Sequence, residues 1–113
     1  MVQNRNKLID LFIGNIANAI VHEILEKAIE KEEIADKYRK ELELSWRIAK
    51  KYRERINPTN TRLPEKDYQY MKTKVTNKVR AELIVRISRG YGNINVGLVE
   101  EVVDKALKNI KVI

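Results

Sequence analysis

The fold of this chain is decided near its start by the stretch LIDLFIGNIANAIVHEILEKA, residues 8–28. Its apolar side chains recur at intervals of three and four residues, at Ile9, Ile13, Ile16, Ile20, Ile24 and Ala28. That spacing returns them to one face of an α-helix. Because Leu8, Phe12 and Leu25 widen this face, we expect the helix to be buried between several neighbours or in a subunit interface.

The same periodicity continues outward and predicts three further helices and no β-strand. Helix two has a weak heptad seam, formed by Ala35, Tyr38, Leu42, Ser45, Ala49, Tyr52 and Ile56. Helix three directs a longer set of side chains toward the core: Tyr68, Met71, Val75, Val79, Leu83 and Ile87. We therefore predict an all-α, four-helix bundle-like single domain over residues 1–113, with helices at about 4–30, 32–56, 64–89 and 95–111.

The breaks between these helices have recognisable signals. Pro64, followed by Glu65 and Asp67, is typical of a helix start, and Gly90 is suited to the left-handed conformation that ends helix three. The stretch NPTNTRLP, residues 57–64, is the clearest loop. The acidic residues at 30–33 are ambiguous, because they either continue the first helix or form a turn.

Composition narrows the class of protein. Hydrophobic residues make up 43% of the chain and charged residues 35%, which is typical of a folded, helix-rich protein. Enrichment in Lys and Glu resembles proteins from hot environments. The absence of cysteine excludes disulfides and thiolate metal sites. Polar residues interrupt the first apolar run, so neither a signal peptide nor a transmembrane helix is expected.

The distribution of charge is more informative than the total of +7. Residues 37–90 hold sixteen Lys and Arg against six acids, a local net charge of +10. Residues 1–36 have a net charge of −3, and residues 91–113 are neutral overall. Such asymmetry indicates a polyanionic partner, either nucleic acid or an anionic membrane surface.

Helix two concentrates cations on the side away from its seam. Lys40, Arg47, Lys51 and Arg55 share that side, and Lys37 and Lys50 lie at its margins. Such side chains on a rigid helix can neutralise phosphates and release counterions. The alternative is a solvated face with internal ion pairs, such as Glu43 with Arg47 and Lys50 with Glu54. Glu41, Glu43 and Glu54 are few for the eight cations of this stretch, so we favour nucleic-acid contact.

Helix three and its flanks supply further candidates. Lys74, Lys78 and Arg86 share one face of the helix, Arg89 follows at its end, and Arg62 lies in the preceding loop. If helices two and three pack antiparallel, their basic faces would flank a common groove. Thr59, Asn60 and Thr61 would then lie at its end as additional phosphate donors.

Two other motifs have a functional and a structural interpretation. An aromatic between glycines, as in Ser88-Arg89-Gly90-Tyr91-Gly92-Asn93, can stack on an unpaired base, but a helix cap and turn explains it more simply. His22 with Glu23 and Glu26 could ligate a metal, but the chain has no second histidine, so we expect a polar-face or interface role. We find no catalytic triad and no phosphate-binding glycine loop, and we expect no enzyme activity, metal or cofactor.

Two slight resemblances accompany these patterns. The segment Leu63-Pro64-Glu65-Lys66-Asp67-Tyr68 resembles the leucine-proline-acid-aromatic turn of GINS replication subunits, over six residues and without implying any residue role. At the level of architecture, a small basic helical chain is similar to the coat proteins of filamentous archaeal viruses, which wrap DNA. Neither resemblance identifies a family.

The sequence therefore predicts an architectural or packaging protein, chromatin-like or nucleocapsid-like, that binds DNA or RNA without strong sequence specificity. Apolar helices one and four would mediate homo-oligomer or assembly contacts. The expected location is the cytoplasm or a nucleoprotein particle. The alternative is a helical interaction subunit that docks an acidic protein. Membrane-surface binding is disfavoured, because it needs large apolar residues beside the basic face, and helix two mostly lacks them.

Overall fold

The computed structural model describes residues 5–28, 32–56, 63–90 and 94–110, and within these ranges it contains helices and no strand. The helices are α1 (Arg5–Ala28), α2 (Glu32–Ile56), α3 (Glu65–Ser88) and α4 (Val99–Asn109). A 3-10 turn at Val96–Leu98 precedes α4, so the predicted fourth helix begins with a tighter turn. The prediction of an all-α, bundle-like fold is confirmed.

Helix α1 is the centre of the bundle. It packs against α2, α3 and α4, whereas the backbone of α2 approaches only α1 among the described elements. Its side chains Phe12, Ile16 and Leu25 are completely buried, as the wide apolar face predicted. Length and composition would allow α1 to cross a membrane, but most of its apolar stretch is covered by the rest of the bundle.

Contacts between helices define their directions. Asn18 donates to Ser45 at 2.8 Å and His22 lies 3.1 Å from Glu41, so α1 and α2 form an antiparallel pair and not one continuous helix. The connection at residues 29–31 lies outside the described ranges. Arg5 contacts Asp67, which places the starts of α1 and α3 together. Ion pairs from Lys72 to Asp104 and from Arg80 to Glu100 show that α4 runs antiparallel to α3.

The ends of α3 agree closely with the sequence signals. Pro64 precedes the first helical residue, and its carbonyl accepts from the N–H groups of Asp67 and Tyr68. Gly90 has a φ of +101°, the left-handed conformation that was predicted to end this helix. The prediction that Ile87 faces the core was wrong, because this residue is 41% exposed.

Candidate nucleic-acid interface

The outward side of α2 carries five exposed cations that make no ion pair with any described residue. We call Lys37, Arg47, Lys50, Lys51 and Arg55 the α2 basic face. Arg47, Lys51 and Arg55 follow one another at four-residue intervals, so their Cα atoms span about 12 Å along the helix. The Arg55 guanidinium lies 5.9 Å from the ring centre of Tyr52, a contact that leaves its charge uncompensated.

The ion pairs expected of a simple solvated face do not form here. Within the described ranges, the pairs at four-residue spacing are Lys27–Glu23, Lys40–Asp36 and Arg86–Glu82. Glu43 with Arg47, and Lys50 with Glu54, are not among them. The five cations of the α2 basic face therefore form no ion pair with a described carboxylate, although Glu54 lines the same depression as Arg47 and Lys50.

Three other cations of α2 are already engaged, which the sequence prediction did not anticipate. Lys40, predicted as a phosphate contact, lies 3.5 Å from Asp36, although its side chain remains 77% exposed. Arg39 contacts both Glu26 and Asp36 at 3.3 Å. The prediction counted only acids at residues 41–54, and it overlooked one acid of α1 and one in the preceding turn of α2.

Arg53 is the third engaged cation, and its side chain is on the inner side of α2. It is 1% exposed and makes interactions of its own inside the protein. Burial lowers the pKa of Arg53, because a charged guanidinium is less stable away from water. The signal was present in the sequence, since Arg53 follows Ala49 by four residues on the seam side of the helix.

The predicted cations of α3 divide into two groups. Lys74 and Lys78 are exposed, and the Lys74 ammonium lies 5.8 Å from the ring centre of Tyr70, which is itself 45% exposed. Arg89 is also exposed at the end of the helix. Arg86 instead turns toward α2 and is engaged there. Arg62, Thr59, Asn60, Thr61 and residues 91–93 lie outside the described ranges.

The groove expected between α2 and α3 is bridged by a polar cluster at one end. Arg86 donates to the Tyr38 hydroxyl at 3.4 Å and to Glu82 at 3.1 Å. His22 of α1 stacks on Tyr38, with ring centres 5.6 Å apart, and lies 3.1 Å from Glu41. The backbones of the two helices do not meet. This cluster links the two helices through their side chains, near the start of α2 and the end of α3.

His22 is the buried member of this cluster. Its residue is 8% exposed, and its Nδ1 atom has no hydrogen-bond partner among the described residues. Burial lowers the pKa of His22 below 6.5, and Arg86 lowers it further, while Glu41 and Glu82 partly oppose both effects. The neutral imidazole is therefore the form that the folded protein favours.

We expect the free energy of unfolding to decrease as pH falls through 6.5. Because the folded-state pKa of His22 is depressed, the unfolded chain binds the proton more readily, and stability is full only above 6.5. Chemical denaturation between about pH 5.5 and 7.5 measures this. His22→Gln should lose most of the dependence, since the chain has one histidine. If the stability of His22→Gln depended on pH as strongly as that of the wild type, the effect could not be assigned to His22.

A separate pocket of about 380 Å³ lies between α1, α2 and α4. Its apolar lining comes from Leu42, Trp46, Val102 and Ala106. Its rim carries both signs of charge, from Glu23, Lys27, Glu43, Glu101 and Lys105. The pocket therefore does not extend the α2 basic face. No group of three potential metal ligands occurs in the described part of the chain.

Two apolar residues lie within the basic surface, which the sequence interpretation missed. Leu44 is 55% exposed and Ile48 is half-buried, and both line a depression with Arg47, Lys50 and Lys51. Their positions between the cations in the helical repeat could have revealed them. Helix two is therefore less purely polar on its outer side than predicted.

Comparison with protein-family models, curated proteins and solved structures finds no match to this chain. A functional assignment therefore depends on the chemistry of its own surfaces.

Proposed function

We propose that the α2 basic face binds the phosphate backbone of nucleic acid without sequence specificity, in an architectural or packaging role. The observation that carries this proposal is the set of five exposed cations on one rigid helix, none of which pairs with an acid in the described part of the chain. Each cation that neutralises a phosphate releases condensed counterions, and this release supplies affinity independent of base sequence. Contacts to phosphate position a protein on nucleic acid but do not read its bases.

The positions of Lys74 and Lys78 support an extended footprint. A row of side chains follows α3 at four-residue intervals, formed by Lys74, Lys78, Glu82 and Arg86. At the end of this row, Arg86 contacts Tyr38 on α2. Because α2 and α3 run in opposite directions at about 1.5 Å per residue, Lys78 and Lys74 lie near the level of residues 46 and 50. A nucleic acid that spans both helices at this level would meet these two exposed lysines in addition to the five cations of the α2 basic face, and would engage six or more phosphates.

Binding measured in parallel with duplex DNA, single-stranded DNA and RNA tests the proposal. With six or more phosphate contacts, affinity should fall roughly a thousandfold between about 50 and 200 mM salt. A preference for single strands would indicate base stacking, for which the exposed Tyr70 beside Lys74 is the candidate. If none of the three polymers binds at low salt, the proposal is wrong.

A second candidate function is docking of an acidic protein. The observation that favours it is Leu44, which is 55% exposed between the cations of α2. A phosphate backbone offers no apolar partner for this side chain, whereas an acidic helix with apolar residues would cover it. The two functions differ in their dependence on Leu44, since only protein docking needs that residue.

A further inference from the structure

Exposed apolar side chains are concentrated at one end of the bundle. Of the large apolar residues that are 40% or more exposed in the described ranges, five lie at this end. We call them the end patch: Ile34, Ile84, Val85, Ile87 and Leu98. The contact between Arg86 and Tyr38 brings the first turns of α2 beside the last turns of α3. The 3-10 turn that contains Leu98 packs on α3 as well. The end patch is therefore formed by elements that adjoin one another.

We propose that the end patch is a self-association surface whose partner is a second copy of this chain. Assembly was predicted through helices one and four, but their apolar residues Phe12, Ile16, Val103 and Leu107 are buried within one chain. The end patch is the largest group of exposed apolar residues that the described ranges offer. Contiguous apolar surface of a few hundred Å² commonly marks an interaction site.

The charges around the end patch favour a second copy of the chain, and not a polyanion, as its binding partner. The chain has a net charge of +7, so two copies repel across their basic faces. Charged residues of both signs surround the end patch, because the exposed Glu32 and Glu33 begin α2 and the exposed Arg89 lies at the end of α3. None of these three residues forms an ion pair with a described residue. A two-fold contact can direct Arg89 of each copy toward the acids of the other. Nucleic acid would be repelled by those same carboxylates.

The end patch supplies only part of the surface that a specific dimer needs. A specific interface buries roughly 800 Å² on each partner, of which five partly exposed aliphatic side chains supply only part. The polar rim, with Glu32, Glu33 and Arg89, must provide the rest. Arg47, Lys51 and Arg55 lie about 20 Å or more along α2 from Ile34. A dimer joined at the end patch therefore leaves these three cations exposed and doubles their number.

Sedimentation or light scattering of the purified chain tests this proposal without nucleic acid, over roughly 5 to 500 µM. We expect the mass to rise from one chain toward two as concentration increases. Ile84→Glu should keep the protein at the mass of one chain. Leu44→Glu is the matched control, because residue 44 is 55% exposed, residue 84 is 58% exposed, and the charge change is the same. Circular dichroism should report equal helicity for both variants, and Ile84→Gln repeats the test without an added charge.

Two outcomes would overturn the proposal. A wild-type chain that stays at the mass of one chain at every concentration would show that the end patch is not a self-association surface. Equal dissociation by Leu44→Glu and Ile84→Glu would place the contact elsewhere. Since no nucleic acid is present, neither result depends on the function proposed for the α2 basic face.

Discussion

Replacing Arg47, Lys51 and Arg55 together by glutamine is expected to weaken duplex-DNA binding about a hundredfold at about 0.1 M salt. These three cations form one row on α2 and have no ion pair with any described residue, so their removal should not disturb the fold. Losing three phosphate contacts should also reduce the slope of log affinity against log salt by about 2.7. Titrations at several salt concentrations would measure both effects.

A control with the same change in net charge separates a defined face from general electrostatic attraction. Lys27, Lys105 and Lys108 are exposed on α1 and α4, and replacing all three by glutamine also lowers the net charge from +7 to +4. We expect this variant to lose much less affinity. Equal losses in both variants would show that net charge, and not the α2 basic face, controls binding. Leu44→Gln should leave the affinity for duplex DNA nearly unchanged, since only docking of an acidic protein needs that side chain.

Phe12→Ala is expected to lower the free energy of unfolding by about 3–5 kcal/mol. The Phe12 ring is completely buried in the α1 core, so truncation removes transfer free energy and leaves a cavity. Since a domain of this size commonly has only about 5–15 kcal/mol of stability, the variant would be close to unfolding. Denaturant titration with an unchanged slope would confirm that the loss concerns the native core.

Leu44→Ala provides the comparison for this stability effect. Its side chain is 55% exposed, so we expect a change within about 0.5 kcal/mol. If Phe12→Ala cost no more than Leu44→Ala, α1 would not be the centre of the core. Helicity by circular dichroism should stay close to wild type in both variants under conditions where they remain folded.

The helices were predictable because their determinants are local. Apolar residues at intervals of three and four residues, and Gly90 at the end of α3, specify helix type and limits without reference to any distant residue. The basic face of α2 was predictable in part for the same reason, since Arg47, Lys51 and Arg55 share one side of the helix. The alternative, a solvated face of α2 with internal ion pairs, could not be decided from the sequence, because the spacing of two residues permits an ion pair but does not ensure that it forms.

The sequence by itself determined the four-helix, all-α character of this protein and the positive charge of its central half. Only the tertiary structure decided the availability of Arg39, Arg53 and Arg86, because it depends on contacts with other helices or on burial. Glu26 of α1 engages Arg39, Tyr38 of α2 engages Arg86, and packing encloses Arg53. Packing also covers α1 while leaving Ile84 and Ile87 exposed, since burial reflects the elements that surround a helix as well as its own pattern.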